Sequence, residues 1–172
     1  MDELTEEQKQ KLEELINRGK QVLGGSRKYI HFSGVKEIDD LINNLERYPH
    51  LFVLGCVVDR QVKSERCWKI PYLVMKDLGG FEFNRLLNLG LKEIKEKFSQ
   101  QNLHRFNDKM AEYFYLAIQR IHNKYNDDVS NIWKDKPLAV TVVRRFIEFE
   151  GIGPKIASMA TNILVRQLKI PL

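Results

Sequence analysis

From Leu51 to Val58 the chain carries no polar side chain: it reads Leu-Phe-Val-Leu-Gly-Cys-Val-Val. A segment apolar on every side has no face to turn towards water, so it should run through the middle of the domain. Around it, apolar residues recur almost everywhere at helical spacing. Thr5 and Gln8 have the form of a capping box, and Leu12, Leu15, Ile16, Val22 and Leu23 follow until Gly24-Gly25 stops the helix. Tyr29 to Phe32 is a short extended stretch, too brief to found a sheet. Ile38, Leu41, Ile42 and Leu45 mark a second helix, and Pro49 closes it or opens the next.

Further along, Ser64 is placed to cap a helix bearing Cys67, Trp68, Leu73 and Val74, with Pro71 as a kink or an early end. Gly79-Gly80 is a turn. Phe83, Leu86 and Leu87 form a short helix, and Leu91, Ile94 and Phe98 another, hinged at Gly90. A long amphipathic helix is expected over Phe106 to Tyr125, broken by Asn126-Asp127-Asp128. Pro137 suits a helix start, ahead of Val140, Val143, Phe146 and Ile147, and a last helix spans about Pro154 to Leu168. No strand pair stands out. The expected class is all-α, a multi-helix orthogonal bundle, with residues 1–48 as N-terminal helices of a second lobe or packed on the core and 49–172 as the main helical domain.

The 172 residues are 43% hydrophobic and 30% charged, a globular balance that excludes a disordered polymer. No apolar run approaches the roughly 18 residues a bilayer span needs, so no membrane role is expected. Met1-Asp2-Glu3 is acidic and does not open a secretory signal. Cys56 and Cys67 form neither a CxxC nor a Cys/His cluster, which argues against a disulfide framework or zinc and for a reducing, intracellular setting. The net charge of +5 leans mildly towards a polyanionic partner.

The most informative stretch is Phe146-Ile-Glu-Phe-Glu-Gly-Ile-Gly-Pro-Lys-Ile-Ala-Ser-Met-Ala160. Two amphipathic helices meet at Gly151-Ile152-Gly153. Both glycines are able to take positive φ, Ile152 is placed to plug the gap between the helices, and Pro154 fits the first helical position. Ala157 and Ala160 are small enough for close packing. Such a bend presents free N–H groups and a helix N-terminus, together a phosphate-sized anion site. A plain helix–turn–helix corner would use the same Gly-x-Gly.

These residues resemble the helix–hairpin–helix DNA glycosylase superfamily, the endonuclease III and 8-oxoguanine glycosylase group. The family's hairpin reads hydrophobic–Pro–Gly–hydrophobic–Gly–x–Lys–x–Ala. Phe149, Gly151, Ile152, Gly153, Lys155 and Ala157 match it, while Glu150 replaces the proline. The similarity covers about residues 49–168, with the hairpin at 150–154. It implies that Lys155 is the Schiff-base lysine of a bifunctional member. The segment ending Asp59-Arg60-Gln61 is similar to the family's Gln-bearing loop, which implies that Gln61 fills the gap left by an extruded base. The family's catalytic aspartate falls just past Leu172, so the chain is expected to be cut short there or to lack full catalysis. Asp127, Asp128 and Asp135 do not match that position. Endonuclease III's four cysteines are missing as well, so no iron–sulfur cluster is expected. The resemblance also implies a monovalent cation shared between hairpin carbonyls and a DNA phosphate.

Three readings follow. The first is a base-excision repair enzyme, a DNA glycosylase with AP lyase activity on an oxidised base in duplex DNA. It would be a monomer in the cytoplasm or nucleoid, with Gly151, Ile152, Gly153, Gln61, Arg60 and Lys63 on the DNA. In it the Lys155 amine attacks C1′ of a flipped nucleotide, an imine forms, and β-elimination cuts the strand. The second is a non-catalytic duplex-DNA-binding module, and the third a helical protein-interaction domain. Against the first, a first-turn lysine is ordinarily just solvated, and Arg60, Lys63 and Arg66 would also make an ordinary wet rim. Trp68, Trp133, Phe114 and Tyr113 fit a core more readily than a base stack. His104 and His122 lack ligand spacing, and Lys92 to Lys97 reads as a wet helix face.

Overall fold

The computed structural model describes residues 4–172; Met1-Asp2-Glu3 and the side chains of Val22 and Leu23 lie outside the described residues. Its elements are α1 (Glu6–Gly24), α2 (Lys36–Asn43), α3 (Pro49–Val57), α4 (Ser64–Met75), α5 (Leu91–Gln100), α6 (Asn107–Tyr125), α7 (Ala139–Ile147) and α8 (Pro154–Asn162). Two 3-10 turns, Phe83–Asn88 and Val129–Ile132, and a π-helical segment, Ile163–Gln167, complete the set. Among the described residues there is no strand, and no helix is long and apolar enough to cross a membrane. The chain is all-α.

The uniformly apolar segment forms α3, and all nine of its residues are buried. Pro49 opens it, because a missing N–H costs nothing in the first turn. At Gly55 a Cβ would stand 2.4 Å from the Trp68 ring, so the glycine lets α4 lie directly on α3. Trp68 stacks on Phe52 at 5.5 Å, and Phe32 closes over it at 4.6 Å. Phe32 and α2 thus pack on the central helix, and residues 27–48 join the same core. By contrast, α1 has its capping box, Thr5 N–H to Gln8 Oε1 at 2.9 Å, yet Leu12, Leu15 and Ile16 stay exposed. Further along, α5 and α6 pack side by side, with Phe98 edge-on to Phe114 at 5.7 Å.

Several local expectations change. Ser64 begins α4 without capping it; its Oγ accepts from Trp68 Nε1 at 3.2 Å. Leu45 lies beyond α2, and α4 runs through Pro71 to Met75. Pro137 stands two residues ahead of α7, whose buried residues are Val142 and Phe146, while Val140 and Ile147 face solvent. The register of α7 is set by its docking on Trp133, which stacks on Phe146 at 6.4 Å.

A buried histidine, His50, sits in the first turn of α3 with Nε2 2.9 Å from the Phe81 carbonyl. Burial holds its pKa down at about 4, against about 6.5 in an unfolded chain. The unfolded state therefore takes up the proton first. Stability from this group is fully present above pH 6.5 and is lost as pH falls towards 4, by up to about 3 kcal/mol. Urea denaturation at pH 7 and pH 4.5 should show that loss, and His50→Gln should flatten it.

Candidate functional site

The hairpin begins where α7 stops. Phe149 is buried and stacks on Tyr125 at 6.0 Å, and the Ile152 N–H donates to the Phe149 carbonyl at 3.0 Å. Ile152 is buried, plugging the space between the helices. Pro154 is the first residue of α8, and no side chain caps that helix, so its leading N–H groups are left to outside partners. Ala157 and Ala160 are fully buried at the helix contact.

The two glycines have different reasons to be glycine. Gly151 has φ +95°, and a Cβ there would stand 2.5 Å from the Val57 carbonyl and 3.2 Å from the Tyr113 ring. Its backbone is therefore seated on the C-terminal end of α3. Gly153 has φ −88°, an ordinary value, and a Cβ would meet nothing within 4 Å. Both glycines are able to take positive φ, and of the two only Gly151 uses that freedom. Nothing within the chain requires glycine at 153, whereas an external backbone drawn close to this turn would.

Beyond Val57 the chain turns tightly, with Arg60 N–H donating to the Val58 carbonyl at 2.9 Å. Asp59 is half-buried, Arg60 and Gln61 are exposed, and Gln61 has φ +54°. A left-handed glutamine costs about 1 kcal/mol or more, a strain often found at functional positions; Lys136 and Lys169 share that conformation elsewhere. His104 braces this turn from below. It is fully buried, and its Nδ1 accepts from the Phe106 N–H at 3.0 Å, so the proton sits on Nε2. That nitrogen faces the carbonyls of Arg60 and Val58 without close hydrogen-bond geometry. Burial holds the imidazole below its ordinary pKa.

Gln61 stands between two concavities. On one side a pocket of about 300 Å³ is lined by Arg60, Gln61, Phe106, Lys109, Met110 and Tyr113. On the other, a groove of about 520 Å³ carries Lys63, Arg66, Lys69 and Arg105 against Glu65. Arg66 uses its guanidinium to hold the Leu103 carbonyl at 2.9 Å, and also bonds the Asn102 carbonyl, so it shapes the groove wall. The acids of the hairpin are countered locally: Arg120 pairs with Glu150 at 3.4 Å and with Glu148 at 3.9 Å, and Lys124 also bonds Glu148. A larger crevice of about 640 Å³ lies between α5 and α6, lined by the charged face of Lys92, Lys95, Glu96 and Asp108, away from the hairpin.

Lys155 is exposed in the first turn of α8; burial pushes the Asp59 carboxyl above its ordinary value, and the Lys155 charge offsets part of that rise. The structure thus gathers Gly151, Ile152, Gly153, Lys155 and the Asp59–Gln61 turn around one helix end, with Lys63 in the adjoining groove. Trp68, Trp133 and Phe114 belong to the core, and Tyr113 alone of the weighed aromatics lines the pocket. His122 is a surface residue paired with Asp127 at 2.7 Å. Asp59, Arg105 and the bracing role of His104 escaped the sequence reading. Asp59 had one signal, its position directly after the apolar run. Among the described residues no cluster of three or more His, Cys, Asp or Glu is placed to hold a metal ion.

No family model, curated protein or solved structure matches this chain. The geometry predicts a split between the glycines. Gly151→Ala should lower unfolding stability by about 1–3 kcal/mol or more, from overpacking and positive φ together. Gly153→Ala should stay within about 0.5 kcal/mol of the parent in the same denaturation assay.

Proposed function

We propose that this protein acts in base-excision DNA repair as a bifunctional DNA glycosylase and AP lyase, built as an orthogonal helical bundle around a helix–hairpin–helix motif. The observation that carries the reading is the seating of Gly151 on the Val57 carbonyl. That contact brings the start of α8, whose first turn carries Lys155, and the turn bearing Gln61 to one end of α3. A lyase of this kind needs both within one nucleotide's reach: an amine for C1′ and a side chain to occupy the vacated stack.

The electrostatics agree. The groove beside Gln61 presents four basic side chains to a sugar–phosphate backbone, and Gly153 leaves open space where a phosphate would approach the uncapped start of α8. The family resemblance further implies a monovalent cation shared between the turn's carbonyls and that phosphate, which would offset part of its charge. The pocket beside Gln61 is lined by Phe106 and Tyr113, rings of the kind an unstacked base packs against, with Arg105 over one face of Phe106 and Lys109 over one face of Tyr113. The partner is duplex DNA bearing a damaged or abasic site.

The second reading is a non-catalytic duplex-DNA-binding module, and the open space at Gly153 and the basic groove serve it equally well. Borohydride separates the two. The enzyme reading expects a covalent adduct with an abasic-site duplex that disappears in Lys155→Ala; a normal adduct in that variant removes Lys155 from the reaction. Both readings expect Gly153→Ala to weaken duplex binding about tenfold, a loss of about 1.4 kcal/mol, with stability unchanged. Wild-type affinity for that variant would show that DNA does not approach the turn.

A further inference from the structure

Helix α1 carries an apolar stripe that the rest of the described chain leaves uncovered. Leu12, Leu15 and Ile16 recur at i, i+3 and i+4, so they share one face, and they are 47%, 62% and 47% exposed. Gly19 continues that face one turn on, and a Cβ there would meet nothing within 4 Å, so a second helix has room to approach closely. The segment after α1 is tied to the body, with the Lys28 N–H donating to the Gln167 carbonyl at 2.8 Å, but the stripe gains no cover from that tie. A lone helix of this length is marginal in water, and its capping box and the Glu6–Lys9 pair at 2.8 Å are small terms. Packing of the stripe is what would hold it.

The charges of α1 indicate what covers that face. Its acids, Glu6, Glu7, Glu13 and Glu14, all lie in the first half, together with Lys9 and Lys11. The second half carries Arg18 and Lys20 and no acid, and Lys28 follows just beyond. Two copies side by side in parallel would set acid against acid and base against base. Laid antiparallel, the acidic half of each meets the basic half of the other. Helical spacing puts Glu13 and Lys20 on the same flank of the stripe, so an antiparallel pair centred near Ile16 brings Glu13 of each copy beside Lys20 of the other. We propose that the stripe of Leu12, Leu15, Ile16 and Gly19 docks on the same stripe of a second copy of this chain, the two α1 helices antiparallel about a two-fold axis. One helix face on another buries less than the roughly 1,200 Å² in total of a standard interface, so the dimer is weak and forms with rising concentration. The inference does not rest on the lyase reading, and it puts a monomer–dimer equilibrium in place of the monomer expected from the sequence.

The test is sedimentation velocity on the full chain without DNA, from about 5 μM to about 500 μM, a range that brackets weak association. The mean mass should climb from monomer towards dimer across that range, and high salt should weaken the dimer several-fold. Leu15→Asp should stay monomeric throughout, with the unfolding midpoint of the body at its parent value. Glu13→Lys and Lys20→Glu should each weaken the dimer about fivefold, because both symmetric pairs turn repulsive. The double variant Glu13→Lys/Lys20→Glu should regain the parent affinity, and a mixture of the two single variants should form a heterodimer tighter than either alone. A parent chain that is monomeric at every concentration overturns the inference, as does Leu15→Asp dimerising like the parent. A double variant no tighter than the single ones overturns the antiparallel pairing.

Discussion

A bare backbone contact, Gly151 against the carbonyl of Val57, decides the rest of this site. A helix buried on all sides has a fixed end, and whatever rests on that end inherits its rigidity. Gly151 meets the requirement because it alone of the hairpin residues combines positive φ with the absence of a Cβ where only 2.5 Å is free. Through this contact the α7–α8 bend and the Asp59–Gln61 turn become one surface, although far apart in sequence.

Support comes from below and from the sides. His104 fills the space under the turn as a neutral imidazole, its tautomer fixed by the Phe106 N–H. Arg66 ties the 102–103 carbonyls to α4, which holds the wall of the basic groove. Arg120 and Lys124 counter Glu148 and Glu150, so a polyanion reaching the hairpin would meet balanced charge there and an excess of positive charge beside Gln61. The strained glutamine is exposed between two concavities and lines both of them.

The helical class, the buried course of Leu51 to Val58 and the bend at 151–153 were legible in the sequence because each depends on residues close in the chain. Period, glycine and proline are local signals, and local signals survive without a tertiary context. The misread elements share a cause. Val140 and Ile147 share the hydrophobicity of Val142 and Phe146, and only the docking of Phe146 beside Trp133 selects the face that is buried. Ser64 looked like a cap, but the Trp68 indole claims its hydroxyl.

At the candidate site, the sequence singled out Lys155, Gln61 and the hairpin glycines as candidates, because each stands in a short local pattern, and their roles belong to the proposal above. It also determined that α3 would be interior, since no arrangement could give that segment a wet face. Only the tertiary structure decided that Gly151 and Gly153 differ in kind, and that the hairpin rests on the C-terminal end of α3. Both outcomes depend on which backbone lies across the other at the end of α3, and a distance between segments so far apart leaves no trace in the local order of residues.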